Sequence, residues 1–272
     1  VLMETLCLPL KHLFSVKKKN GYTILNPANG IFGLRHYPCL PTAYINITTH
    51  RTEVVYKEVS PGIFQRTTER KRPGTVAIAA ALKSRYGVAT VPHVICSGFT
   101  PSELENELID LAYLGINDLL VLRGDKAKAD SRFIAEEGGY THAVELCEQV
   151  SAFNKGLMLD GTTHDAFNAP FSFGVAGYPE KHEEAMNIDV DIEHLKAKID
   201  AGAEYIVTQM FFDNAKYFDF VARCRAAGID VPIIPGLKPL TSLTQQALLP
   251  KTFHIDLPME LAAELVKCKS ND

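Results

Sequence analysis

From residue 44 onward, short β-branched runs alternate with amphipathic stretches, and this alternation limits the possible folds more than any other feature of the chain. The strand candidates are YINIT at 44–48, ATVPHVIC at 89–96, DLLVL at 118–122, FSFGVAG at 171–177, YIVTQ at 205–209 and VPIIP at 231–235. All but the second are nearly unbroken apolar runs, as strands covered on both faces must be. The stretches between them carry helix punctuation. Thr100-Pro101-Ser102-Glu103 combines an N-cap, a first-turn proline and a capping-box glutamate; Leu104, Leu108 and Leu111 then share a face, and Gly115 ends the helix. Ile192, Leu195 and Ile199 make a similar stripe, as do Phe220, Val221 and Cys224.

Repeated strand–helix units of this spacing predict an α/β fold of the TIM (β/α)8 type. Only six strands are legible where a closed barrel has eight, so the expected barrel is incomplete, with its first and last units missing or degraded. The alternative is a doubly wound open sheet, which is disfavoured because no glycine-rich fingerprint follows any strand. Two segments, 50–73 and 124–170, read as long loops on the strand-exit side, where ligands usually bind. The text before residue 44 is rich in turn formers and shows no useful helical or strand period. Residues 1–43 are therefore an atypical segment, either translated out of frame or disordered, ahead of a catalytic domain at 44–272.

Composition narrows the class. The 272 residues are 46% hydrophobic and 22% charged, as in ordinary globular chains. No stretch approaches the about 20 apolar residues of a membrane span, and the opening VLMETLCLPLKHLF lacks a basic start, so the expected location is cytoplasmic. Six cysteines stand singly without a CxxC pair, as free thiols do in a reducing compartment. Lys and Arg number 28 against 32 Asp and Glu, a net charge of −4. That balance argues against a nucleic-acid partner and requires any anionic ligand to be held by local groups.

In a βα barrel the chemistry sits at the strand exits. The polar residues there are Thr48, His93, Arg123-Gly124-Asp125, Tyr178 with Glu180 and His182, and Thr208-Gln209. Each also has a plainer explanation. Arg123 and Asp125 would serve equally as a surface ion pair in a turn, and His93 as a hydrogen-bonded core residue. Asp191 and Lys198 lie two helical turns apart, on one face, which is usually a solvated one. His182 has no second histidine at metal-ligand spacing, so no metal is expected. Arg66, Arg70, Lys71 and Arg72, interleaved with Glu69, read as a solvated loop and not as a nucleic-acid patch. No P-loop or GxSxG motif is present.

Six ordered blocks together resemble the bacterial methylenetetrahydrofolate reductase family: INITTHR at 45–51, VPHVICSGFT at 91–100, GINDLLVLRGD at 115–125, GVAGYPEKHEEA at 174–185, DAGAEYIVTQMFFDNAKYFDF at 200–220 and AGIDVPIIPGLKPLTS at 227–242. The resemblance implies a TIM-barrel flavoprotein that binds FAD. It would take hydride from NADH or NADPH and reduce 5,10-methylenetetrahydrofolate to 5-methyltetrahydrofolate for methionine synthesis, with ping-pong kinetics. Position by position it implies that Thr48, His93, Leu122, Arg123, Gly124, Asp125, Tyr140, Ala176, Tyr178, His182, Asp191 and Lys198 line the flavin site. Asp125 and Gln209 would face the folate as catalytic residues. A carboxylate near the flavin's N1 eases hydride departure and steadies the cationic iminium of the opened folate ring.

The resemblance also implies a general-acid glutamate in an FEFFPP-like first strand. The first 43 residues hold one acidic residue, Glu4, in the unrelated context METLCLP, so no proton donor is assigned. The family's last strand has no counterpart before Asp272, and the strand edges left open favour association of copies. Two other readings stand beside the reductase: a catalytically impaired remnant that still binds flavin or folate, and a flavin-free TIM-barrel enzyme acting on a pterin.

Overall fold

The structure, a computed structural model, describes the backbone of residues 14–19, 22–27, 46–47, 52–60 and 63–70. It describes residues 74–126, 130, 132–165, 169–240 and 242–267 in full. The chain forms two compact units, Val1–His142 with Ala152–Phe171, and Ala143–Ser151 with Ser172–Asp272. Each is built from strand–helix repeats, so the α/β class of the TIM type holds.

In the first unit, β3 (Asn46–Ile47) runs parallel to β6 (Val91–Ile95), and β6 runs parallel to β7 (Asp118–Leu122) with His93 opposite Leu120. Helix α1 (Thr75–Tyr86) precedes β6, and α2 (Pro101–Tyr113) joins β6 to β7. Val91, Val94, Leu119 and Val121 are buried, as are Leu104, Leu108 and Leu111 of α2. Adjacent positions along these strands are therefore covered on both faces, which is why the sequence shows apolar runs and not alternation.

The α2 start is the expected capping box. Thr100 Oγ1 accepts from Glu103 N at 3.4 Å, and Glu103 Oε2 accepts from Thr100 N at 2.9 Å. Removing the first of these bonds with Thr100→Ala should cost about 1 kcal/mol, read as a lower urea midpoint with an unchanged slope.

In the second unit, β8 (Ser172–Gly177) pairs in parallel with β9 (Tyr205–Met210), and β9 with β10 (Ile233–Gly236). The helices are the first nine residues of α3 (Ala143–Asn154), then α4 (Ile188–Asp200), α5 (Asn214–Ala226), α6 (Gln245–Phe253) and α7 (Met259–Lys267). Leu146, Val150, Phe173, Val175, Ile206, Phe220 and Ile229 form the core of this unit. Among the described residues the six parallel-paired strands coincide with the six strand candidates. No helix among them is long and apolar enough to cross a membrane.

Three expectations need correction. Residues 50–73 are not a plain loop, because β4 (Thr52–Ser60) and β5 (Ile63–Arg70) pair as an antiparallel hairpin. Their polar-rich text, TEVVYKEVS and IFQRTTER, conceals strands that lack a long apolar run. Arg66 and Arg70 belong to β5, while Lys71 and Arg72 lie outside the described residues. Second, the text before residue 44 does contain strands: β1 (Phe14–Lys19) and β2 (Tyr22–Pro27) pair antiparallel with Lys19 opposite Tyr22. Asn20-Gly21 stands between them in sequence, a dipeptide strongly favoured in two-residue hairpin connections. Third, the segment 124–170 carries helix α3.

Candidate active site

In the first unit the candidate residues gather at the exits of β6 and β7. The ladder continues past the strand ends, with Cys96 N donating to Leu122 O at 3.2 Å and Ser97 N to Arg123 O at 2.9 Å. This holds Arg123, Gly124 and Asp125 beside the Ser97-Gly98 turn. Gly124 has φ +88°, and a Cβ there would meet the Ser97 Cβ at 2.8 Å, so the close approach of the two exits depends on glycine. The Arg123 guanidinium lies 4.6 Å from the centre of the Phe133 ring, a cation–π contact that restrains it. Asp125 is exposed. The segment carrying Tyr140 is drawn to the same exit: Cys96 Sγ contacts His142 O at 3.7 Å, and the Gly139 backbone packs against Phe99 O. Thr48 lies outside the described residues.

His93 is the anomaly of this unit. It is 9% exposed in the middle of β6, and neither ring nitrogen has a hydrogen-bond partner among the described residues. Burial pushes its pKa down to about 4. The imidazole is therefore neutral at pH 7, with one donor and one acceptor held ready.

A folded-state pKa below the unfolded 6.5 means that the unfolded chain binds the proton first as pH falls. His93 should therefore leave stability intact above about pH 6.5 and erode it between there and about pH 4, by on the order of 3 kcal/mol in all. Urea midpoints measured across that window should fall more steeply for the wild type than for His93→Leu. Parallel curves would show that His93 is not the titrating group.

In the second unit five candidate residues form one connected cluster at the β8 exit. Lys198 Nζ of α4 donates to Ala176 O at 2.9 Å. Asp191 Oδ2, in the first turn of α4, accepts from His182 N at 2.9 Å. The Tyr178 and His182 rings meet edge to face with centroids 4.8 Å apart. Asn187 caps α4 by accepting from Val190 N at 2.9 Å, which fixes where Asp191 points. The shared helical face of Asp191 and Lys198 is thus turned to the strand-exit loop and is not merely a solvated one.

Burial pushes the Lys198 ammonium pKa down, with the nearby Asp191 charge opposing that shift. Burial also pushes the Cys147 thiol up to about 12, so this neighbour stays neutral and supplies no counter-charge. A desolvated cation with one carboxylate nearby is suited to hold an anion.

Gln209 ends β9 and lines a small hollow with Tyr178, Pro179, Met210, Phe253 and Ile255. Its Oε1 accepts from Met210 N at 3.0 Å. Glu180, a strand-exit polar residue to which the sequence assigns no role, has a largely buried side chain and lines this hollow. Nothing in the local pattern signals that burial, because Glu180 owes it to chain 76 residues away.

The sequence profile described as methylenetetrahydrofolate reductase matches residues 44–272. Methylenetetrahydrofolate reductase 2 of Saccharomyces cerevisiae is 33% identical over 197 residues, covering 72% of this chain and 31% of the relative. The 5,10-methylenetetrahydrofolate reductase of Escherichia coli K12 is 33% identical over 192 residues, covering 71% of this chain and 58% of the relative. Methylenetetrahydrofolate reductase (NADH) 1 of Arabidopsis thaliana is 30% identical over 207 residues, covering 73% and 33%. This chain therefore spans only part of each relative's length. Among solved structures, a Clostridium thermocellum protein that binds two copies of 5-methyl-5,6,7,8-tetrahydrofolic acid aligns over 70% of this chain and 59% of its own. The identity is 17% and the TM-score 0.42.

Proposed function

The chain belongs to the methylenetetrahydrofolate reductase family, and from that membership we propose that residues 44–272 catalyse the FAD-dependent reduction of 5,10-methylenetetrahydrofolate to 5-methyltetrahydrofolate by NAD(P)H. The observation that carries this reading is His93, a buried neutral imidazole within β6 whose two nitrogens are both unpartnered among the described residues. An orphaned donor and acceptor in an apolar strand is costly unless a bound group completes them. Lys198 supports the same fit, since its desolvated ammonium suits the cofactor's pyrophosphate.

FAD, when bound, would supply hydride-carrier chemistry that nicotinamide and folate use in turn, hence ping-pong kinetics. Carried over residue by residue, His93 would offer a donor and an acceptor, Arg123 a cation, and Leu122 and Gly124 their backbone. Tyr140 and Thr48 carry over by position alone. Lys198 would face phosphate, with Ala176, Tyr178, His182 and Asp191 shaping and ordering its anchorage.

Asp125 and Gln209 are proposed as the residues that face the folate. Asp125 would stabilise positive charge developing as the folate's five-membered ring opens. Gln209 would offer its NH2 to the pterin's carbonyl edge. Under this reading the product supplies methyl groups for methionine synthesis in the cytoplasm.

The test is direct. The purified chain, mixed with FAD and desalted, should keep a flavin absorption spectrum, bleach under anaerobic NADH or NADPH, and recover colour on adding methylenetetrahydrofolate. A colourless protein after reconstitution would refute the reading; bleaching without recovery would support the impaired flavin-binding remnant instead.

A further inference from the structure

The β8-exit loop is tied to the connection after α6 through one buried carboxylate. The Glu180 side chain is 7% exposed. Its Oε2 accepts from Asp256 N at 2.6 Å and from Lys216 Nζ of α5 at 3.2 Å. Lys216 also pairs with the Asp256 carboxylate. Burial opposes the Lys216 charge, but its hydrogen bonds to Asp256 and Glu180 outweigh that and raise its pKa. A second tie joins the same two segments, between His254 Nε2 and Glu183 Oε2. The Glu180 Oε1 atom is buried without a partner among the described residues.

This arrangement is expensive for a purely structural joint. A buried carboxylate with one oxygen unsatisfied costs more than an apolar side chain of the same volume. The two walls it joins also carry the backbone strain of this unit: Lys181 (φ 71°) and His254 (φ 53°) are the non-glycine residues in left-handed conformation among the described residues. Both line the hollow that contains Tyr178 and Gln209. Lys181 is further held by its own Nζ, which donates to His182 O at 3.0 Å and Ala185 O at 2.9 Å. Strained conformers persist only where their surroundings over-determine them, and Glu180 is the buried carboxylate among the groups that tie the two walls.

We propose that Glu180 is a positioning residue, which fixes the separation of the 178–181 and 253–256 walls and thereby the geometry in which Tyr178 and Gln209 meet flavin and folate. The ligand half of this proposal rests on the reductase reading; the wall half does not.

The experiment uses Glu180→Ala, Glu180→Gln and Lys216→Met in the full chain, each checked for its unfolding midpoint. Gln retains an acceptor for the Asp256 N–H while losing the charge opposite Lys216. Hydrogen exchange without any ligand tests the walls. Glu180→Ala should speed exchange in both 178–181 and 253–256 while the rest of the second unit keeps its protection, and no change in either segment would overturn the proposal. With FAD bound, Glu180→Ala should distort the flavin absorption bands and raise the KM for methylenetetrahydrofolate by about tenfold, with kcat held within about threefold. Glu180→Gln should recover most of that loss, and Lys216→Met should fall between. Unchanged bands and KM in a folded Glu180→Ala, or losses that merely track a lowered unfolding midpoint in all three variants, would overturn it. Should Glu180→Ala fail to fold, the same criteria apply to Glu180→Gln and Lys216→Met. A wild-type chain that takes up no FAD would sink the reductase reading while leaving the exchange result to judge Glu180.

Discussion

Asp125→Asn is expected to retain FAD with nearly wild-type affinity and to slow reoxidation by methylenetetrahydrofolate by about 10²–10³-fold. The substitution is nearly isosteric and removes only charge. Asp125 is exposed, and its contact with Ser97 Oγ, at 3.5 Å, uses the backbone carbonyl, which Asn also has. The turn at Gly124 and the β6–β7 ladder should therefore be unaffected, and the unfolding midpoint should stay where it is. The effect should appear in one half-reaction. Anaerobic stopped-flow mixing with NAD(P)H should bleach the flavin at a rate closer to wild type, whereas mixing the reduced protein with the folate should show the large loss. Equal reoxidation rates in wild type and variant would remove Asp125 from the chemistry. A matching loss of FAD affinity would make it a binding residue instead.

Gly236→Ala should be the most damaging single methyl addition in the second unit. A Cβ at this position would lie 2.0 Å from Thr208 O and 3.1 Å from Thr208 C, both backbone atoms of β9. Strand β9 is paired on both sides, with β8 and with β10, so it cannot yield as a side chain would. The pairing of β10 must open, at a cost of about 3 kcal/mol or more. Gly236 N also donates to Thr208 Oγ1 at 2.9 Å, across a register irregularity between Ile234 and Gly236. Thr208→Val removes that bond without a clash and should cost about 1 kcal/mol, which separates the two contributions. Because Gln209 follows Thr208, Gly236→Ala should also raise the KM for folate in whatever fraction remains folded. A variant as stable as the wild type would mean that β9 and β10 approach less closely than described.

The parts of the fold that were legible are those where local sequence and burial say the same thing. A parallel strand buried on both faces has to be apolar along its length, and DLLVL and YIVTQ could hardly be read otherwise. The start of α2 was equally plain, since a capping box is a contact between residues three apart. The β4–β5 and β1–β2 hairpins were not, because their strands lack the long apolar run that marks the others, and their pairing depends on a partner strand supplying the missing hydrogen bonds. Among the site residues, the motif resemblance points to Ala176, Tyr178, His182, Asp191 and Lys198, and hydrogen bonds and an edge-to-face ring contact bring these together. The plainer expectation of a solvated Asp191–Lys198 face failed because helical spacing says which residues share a side, not what that side meets.

The amino-acid sequence by itself determined the α/β class, the six strands, the capping of α2 and the family, since each is written in short-range periodicity or in ordered motifs. Tertiary packing alone decides that His93 has no partner among the described residues, that Lys198 is desolvated beside a neutral Cys147, and that Glu180 is buried against Lys216 and Asp256. Desolvation and hydrogen-bond satisfaction are sums over neighbours brought together from distant parts of the chain. No window of sequence contains those neighbours, so the electrostatic state of a side chain becomes defined only when the chain has closed around it.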